Sequence, residues 1–268
     1  MTRYGSMGTR LVTDLELCVL GPVEVRRGGL QVAIGGRTTL TVLAGLALSP
    51  ERAIGVDTLI DYAWDGDLPA HPRAALHNGL SRLRRLLGDG VIETLGWGYR
   101  LNATADNLDL LRFERNLAVA RRAGAEGRDE DSIAALDDAI RLWREPPLGN
   151  VDSPALHRQV LPRLTERYLE AVEHRNDLCL RLGRHDALAA ELSAMARSYP
   201  LRERITGQLM IALTRSGRRA DALVAYQALR TALREELGVD PTSDLQDLHV
   251  QILRAAPELE PRRRMVLA

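Results

Sequence analysis

The chain has no lysine: all 36 basic side chains among its 268 residues are arginine, and 36 acids balance them to a formal charge of zero. Without lysine there is no phosphate-loop lysine and no amine for a Schiff base, and neither G-x-x-x-x-G-K-[ST] nor G-x-G-x-x-G occurs. Cysteine is scarce as well. Cys18 and Cys179 stand too far apart for a metal-binding spacing, and two cysteines make no secreted disulfide framework, which fits a reducing cytoplasm. Nowhere do ~18 apolar residues run together, and Met1 to Arg10 has no apolar stretch behind its charges, so neither membrane spanning nor export is indicated. The histidines at 71, 77, 157, 174, 185 and 249 are scattered, with no H-E-x-x-H, and no G-x-S-x-G appears. These absences argue against an enzyme and give no reason to expect a metal or cofactor.

What is present falls into two parts, as expected where domains commonly run ~100–200 residues. After an N-terminal segment 1–14 read as disordered, Leu15 to Val25 alternates partly in period two, and Gly28-Gly29 gives a turn before Leu30 to Ile34. Leu40, Leu43, Leu46 and Ala47 then recur at helical spacing until Pro50. A short second helix carries Leu59, Ile60, Ala63 and Trp64 with Asp57 as its cap, and DGDLPAHP turns the chain. A third helix starts at Pro72, which costs nothing in a first turn, and stops at Gly88. VIETLGWGYRL closes the region as a hairpin split at Gly96. Strands, three helices and a hairpin predict an α+β winged helix-turn-helix domain over 15–104.

Asn102 to Asn107 reads as a polar linker. Beyond it the residues are helix formers with almost no strand signal, predicting an all-α domain over 108–256 and a frayed tail over 257–268. Gly183-Arg184 recurs 34 positions later as Gly217-Arg218, each followed by Asp-Ala-Leu, and Gly127-Arg128 begins a weaker third copy. That period is the one of tetratricopeptide helix pairs, in which a small residue at the turn lets helices pack closely while neighbouring pairs share a core; the plainer alternative is two Gly-Arg turns coinciding by chance in an Arg-rich bundle. Leu237-Gly238-Val239-Asp240-Pro241 reads as a helix stop with a glycine cap.

The third helix carries the most specific signal. Leu76, Leu80, Leu83 and Leu87 make one apolar stripe, and a hundred degrees per residue puts Asn78, Ser81 and Arg85 opposite it, with His77, Arg82 and Arg84 beside them. Between His71 and Leu87 there are four arginines (73, 82, 84, 85) and no acid. Such a face fits a major groove: arginine forks onto guanine, asparagine onto adenine, and the remaining arginines and serine hold phosphates. The hairpin would form a wing, with Arg100 reaching phosphate or minor groove. The plainer reading is a solvated helix face in a lysine-free chain. Order of elements favours the groove-binding one. Tyr99 reads as packed on the domain, whereas Trp97, between glycines, could pack or reach DNA.

Leu76 to Gly88 with its Ser81-Arg82-Leu83-Arg84-Arg85 core, followed by Gly98-Tyr99-Arg100-Leu101, resembles the OmpR-type winged helix of the SARP family of antibiotic-pathway activators. Leu108-Asp109 through Phe113-Glu114, Leu142-Trp143-Arg144, Pro200-Leu201-Arg202-Glu203, Gly217-Arg218 and Glu235 to Pro241 resemble that family's bacterial transcriptional activation domain. The resemblance implies direct repeats of double-stranded promoter DNA as target and side-by-side protomers. It also implies RNA polymerase with its sigma factor as partner. The resulting DNA-binding candidates are Arg37, Arg73, His77, Asn78, Ser81, Arg82, Arg84, Arg85, Trp97, Gly98 and Arg100. Three departures stand out. Only Arg37 precedes Thr38-Thr39-Leu40, where relatives often carry a basic run; Gly79 interrupts the reading helix; and Glu145 follows Trp-Arg where relatives commonly have glycine. Larger relatives carry a nucleotide-binding domain for which this chain has no room, so it is read as a stand-alone form or part of a longer protein. The competing class is a helical-repeat interaction scaffold or signal-sensing regulator.

Overall fold

A computed structural model describes residues 14–144 and 146–255. The expected disordered start, apart from Asp14, the tail 257–268 and the Glu145 departure lie outside the described residues. The chain divides into two compact units, 1–171 and 172–268.

The first unit opens with an antiparallel sheet of β1 (Leu15–Cys18), β2 (Glu24–Arg27) and β3 (Leu30–Val32) in that order. Arg27 pairs with Leu30 across Gly28 and Gly29, whose φ of 58° and 78° gives the doubly left-handed turn that only glycine adopts cheaply. Leu15, Leu17 and Val25 point inward, as strand alternation requires.

Helix α1 (Arg37–Leu48) is buried from Thr41 to Ala47 and is the centre of this core. Around it pack α2 (Val56–Trp64), α3 (Pro72–Leu87) and the last strand of a second sheet. That sheet has the order β4-β6-β5, with β4 (Ile54–Gly55), β5 (Ile92–Leu95) and β6 (Gly98–Leu101). The predicted hairpin is β5 and β6, joined by Gly96 and Trp97. Asp57 is not the cap of α2. Gly55 holds that position, and Asp57 sits inside the first turn, where its charge favours the positive helix end.

Residues 102–107 are tied down rather than loose. Leu17 N–H donates to the Asn107 carbonyl at 2.7 Å, Asn107 is buried, and its side-chain oxygen accepts from Thr104 N–H at 2.7 Å. Asp109, at the start of α4 (Asp109–Ala125), is buried and accepts from Val19 N–H at 2.8 Å and Leu20 N–H at 3.0 Å. After α5 (Asp129–Ile140) the chain returns to the same sheet. Asn150 exchanges hydrogen bonds with Val23, and Arg144 pairs with Glu24 at 2.9 Å. Short helix α6 (Pro154–Gln159) is capped by Ser153, whose hydroxyl also donates to the Tyr62 carbonyl at 2.6 Å. Arg158 holds Asp65 at 2.7 Å.

The long helix α7 (Leu161–Arg181) contains the division between units. The second unit continues with α8 (His185–Ser198), α9 (Glu203–Arg215), α10 (Arg219–Leu237) and α11 (Ser243–Leu253). Gly127, Gly183 and Gly217 have φ of 72°, 76° and 75° and link α4 to α5, α7 to α8 and α9 to α10. In each, the following arginine N–H reaches back five residues: Arg128 to Ala123, Arg184 to Cys179 and Arg218 to Leu213, all at 2.8–2.9 Å. This is one C-cap geometry used three times, so the weak third copy is structurally equivalent to the other two. The stop at Gly238 has the same left-handed character, and Asp240 beyond it pairs with Arg234 at 2.9 Å.

Inside the second unit a buried carboxylate is fully occupied. Glu173 accepts from Arg202 Nε at 2.6 Å, and Gln208 donates to the Glu173 carbonyl at 2.7 Å. Buried charge is tolerated only when paired in this way. Pro200-Leu201-Arg202-Glu203 therefore serves the fold, with Glu203 also accepting from the Thr242 N–H at 2.8 Å.

Candidate nucleic-acid interface

Helix α3 is placed by its apolar stripe. Leu76, Leu80, Leu83 and Leu87 are buried, together with Gly79, and the opposite side exposes Ala74, His77, Asn78, Ser81, Arg82 and Arg85. The exposed face carries no acid. Sixteen residues rising 1.5 Å each make a rod of about 24 Å, enough to lie along a major groove.

Two guanidiniums on this face, Arg82 and Arg85, have no carboxylate partner among the described residues. Arg85 Nε approaches only the Ser81 carbonyl, at 3.5 Å. Arg82 Nη1 lies 3.8 Å from where a β-carbon on Gly36 would sit, beside the start of α1. The first turn of α1 has no acidic residue and no side-chain cap, so the positive end of its dipole adds to Arg82.

The other expected contacts are arranged differently. Arg84 is turned to the hairpin: Nη2 donates to Thr94 Oγ1 at 2.6 Å and to the Ile92 carbonyl at 3.3 Å, and the guanidinium lies over the Tyr99 ring. His77 meets the same ring edge-on, with centroids 6.4 Å apart. Tyr99 is buried, which bears out its reading as a packed residue. Trp97 is 63% exposed at the hairpin tip, with part of its indole over Gly55 and its carbonyl accepting from Val56 N–H at 3.3 Å.

Gly98 has a steric reason. A β-carbon there would stand 2.1 Å from the Ile54 carbonyl oxygen, so the close pairing of β4 with β6 needs glycine. Arg100 follows on the opposite side of β6 from Tyr99 and grips Glu93 at 2.5 Å. Arg73 pairs with Asp57 at 3.2 Å, and Arg37 with Asp152 at 2.8 Å. These last two pairs are exposed at both ends, so each is worth only ~0–1 kcal/mol and yields readily to a phosphate.

The structure thus brings His77, Asn78, Ser81, Arg82 and Arg85 together on one open face and leaves Arg37, Arg73 and Arg100 with carboxylates. Sequence reading missed Thr94 and Ile92 as receivers of Arg84. No spacing rule connects a helix arginine to a strand that pairs later in the chain.

Comparison with known proteins gives a consistent result. A bacterial transcriptional activator domain matches residues 108–253. Regulatory protein AfsR of Streptomyces griseus is 37% identical over 245 residues, covering 91% of this chain and 25% of AfsR. Regulatory protein DnrI of Streptomyces peucetius is 34% identical over 257 residues, covering 92% of this chain and 94% of DnrI. A solved structure of Mycobacterium tuberculosis EmbR, in complex with a low-affinity phosphopeptide, superposes with a TM-score of 0.84 at 34% identity. That match covers 91% of this chain and 66% of EmbR. The chain therefore spans about a quarter of the AfsR regulators and about two thirds of EmbR.

Proposed function

This chain belongs to the SARP family of transcriptional regulators, and from that membership we propose that it is a sequence-specific activator of a biosynthetic gene cluster for a secondary metabolite. It is a DNA-binding regulator, not an enzyme. The regulated promoter carries direct repeats. Residues 15–104 read these repeats, and residues 108–256 serve activation. Protomers sit side by side and engage RNA polymerase through its sigma factor in the cytoplasm. Among the described residues no helix is long and apolar enough to cross a membrane.

The observation that carries the reading is the acid-free face of α3, where Arg82 and Arg85 stand without carboxylate partners among the described residues. In a chain of zero formal charge, a local field of this kind is what draws a polyanion. In this assignment Arg85 and Asn78 face base edges, while Arg82, Ser81 and His77 take phosphates or flanking bases. Arg37, Arg73, Trp97, Gly98 and Arg100 form the margin, and Arg84 supports the wing.

The test is fluorescence anisotropy of a promoter fragment across about 50–200 mM salt. Each phosphate neutralised in duplex DNA contributes a slope of about −0.9 in log affinity against log salt, so several arginine contacts give a steep line. A flat line would overturn the proposal in favour of an interaction scaffold, and equal affinity for a scrambled fragment would overturn its sequence specificity.

A further inference from the structure

We propose that the first unit contains a binding site for a small organic anion with an apolar body, in the cavity between the end of α1 and the start of α7. The cavity measures about 390 Å³, within the ~300–1,000 Å³ common for small-molecule pockets. Leu48, Leu110 and Leu164 supply an apolar wall, and Arg52, Arg163 and Arg167 supply a cationic one.

The charges do not cancel. Among the described residues Glu114 is the one carboxylate lining the cavity, and Arg167 already holds it. Arg52 and Arg163 are exposed at its edge and have no carboxylate partner among the described residues. The cavity therefore carries two unmatched positive charges beside a hydrophobic surface, a setting that a neutral ligand leaves unpaired and inorganic phosphate leaves half empty. Tyr62, whose ionisation burial pushes upward, also lines the cavity.

Helix ends do not decide the sign of the ligand. The last turn of α1, at Leu48, presents the negative end of its dipole, and the first turn of α7, at Arg163 and Leu164, presents the positive end. These effects are similar in size and opposed, so the guanidiniums govern. The site is also separate from the reading face. Arg82 meets α1 at Gly36, the cavity meets it at Leu48, and twelve residues of helix put about 18 Å between the two ends.

The experiment is isothermal titration calorimetry of the whole chain with sodium 2-naphthoate. The neutral 2-naphthylmethanol and inorganic phosphate are titrated alongside. The expected result is saturable one-to-one binding of naphthoate, at least tenfold tighter than either control. The Arg52→Ala/Arg163→Ala double variant, which removes no ion pair among the described residues and is expected to keep the wild-type melting temperature, loses at least tenfold in affinity. Arg121→Ala, an exposed arginine outside the cavity, leaves it unchanged. Absence of saturable naphthoate binding, equal affinity for the alcohol, or undiminished binding by the folded double variant would each overturn the proposal.

Discussion

The guanidinium carbon of Arg84 lies 5.8 Å from the centroid of the Tyr99 ring, so an arginine of α3 serves to hold the β5–β6 hairpin. Its donors to Thr94 and Ile92 fasten β5 to α3 from the side. Arg84→Met keeps the aliphatic stem and removes every donor. The expected outcome is a stability loss of ~1–2 kcal/mol, from hydrogen bonds made by a charged but partly exposed group. DNA affinity falls with it, because the hairpin is no longer fixed relative to the helix. Urea denaturation with anisotropy on the same samples checks this. Undisturbed stability would show that the clamp carries no weight.

Arg85 should behave in the opposite way. Among the described residues it pairs with no carboxylate and hydrogen-bonds only the Ser81 carbonyl of its own helix, so its loss leaves the fold intact. Arg85→Ala is expected to weaken specific binding by ~1–3 kcal/mol and to relax preference at one base position. Arg82→Ala, beside the start of α1, should weaken binding to all sequences alike and lower the salt slope by about 1. Footprinting on the operator with both variants separates the roles. An unchanged Arg85→Ala footprint would refute the base-reading assignment.

This division of labour shows where sequence reading reached its limit. The open face of α3 was legible because a helix repeats every 3.6 residues, so four leucines fix where Asn78 and Arg85 point. The three Gly-Arg turns were legible because each needs a left-handed residue between helix-forming stretches. β4 was not, since a strand of two residues has no period to detect. Asp57 was misplaced because an acid near a helix start suits the cap and the first turn equally. The partners of Arg37 and Arg84 were hidden for another reason. Asp152 is 115 positions away from Arg37, and the contact exists only because the chain returns after α5.

Two glycines of the interface predict opposite results. Gly98→Ala would put a β-carbon 2.1 Å from the Ile54 carbonyl oxygen, a backbone atom that cannot swing aside, so β4 and β6 must part. Marked destabilisation and loss of DNA binding follow. Gly79→Ala meets only Thr39 Oγ1, at 3.9 Å, an ordinary contact, and the helix runs through Gly79 without a break. It should raise stability by ~0.5–1 kcal/mol by removing glycine from a helix interior. Thermal unfolding of the pair is the measurement. A destabilised Gly79→Ala would mean that α3 needs the backbone freedom of glycine in its working form.

The contacts of the opening sheet with Asp109 and Arg144 should respond to acid with opposite signs. Glu24 accepts from Arg144 at 2.9 Å and Arg26 at 2.9 Å, and these hydrogen bonds hold its ionisation below the usual carboxylate range. Its contribution is therefore present above the unfolded value and lost as pH falls through the folded one. Asp109 runs the other way. Burial raises its ionisation, and the N–H groups of Leu20 and Val19 offset only part of that. Its contribution is full below the unfolded value and declines as pH rises through the raised folded one. Across about pH 3–6, Glu24→Gln should flatten the rise of stability with pH, because it removes a group that binds its proton more weakly when folded. Asp109→Asn should steepen that rise, whatever fixed loss it causes by turning an amide toward two N–H donors. Denaturation midpoints for both variants, read as slopes against pH rather than as absolute values, isolate titration from packing. Slopes that change in the same direction would mean that these two carboxylates do not govern the acid response of the first unit.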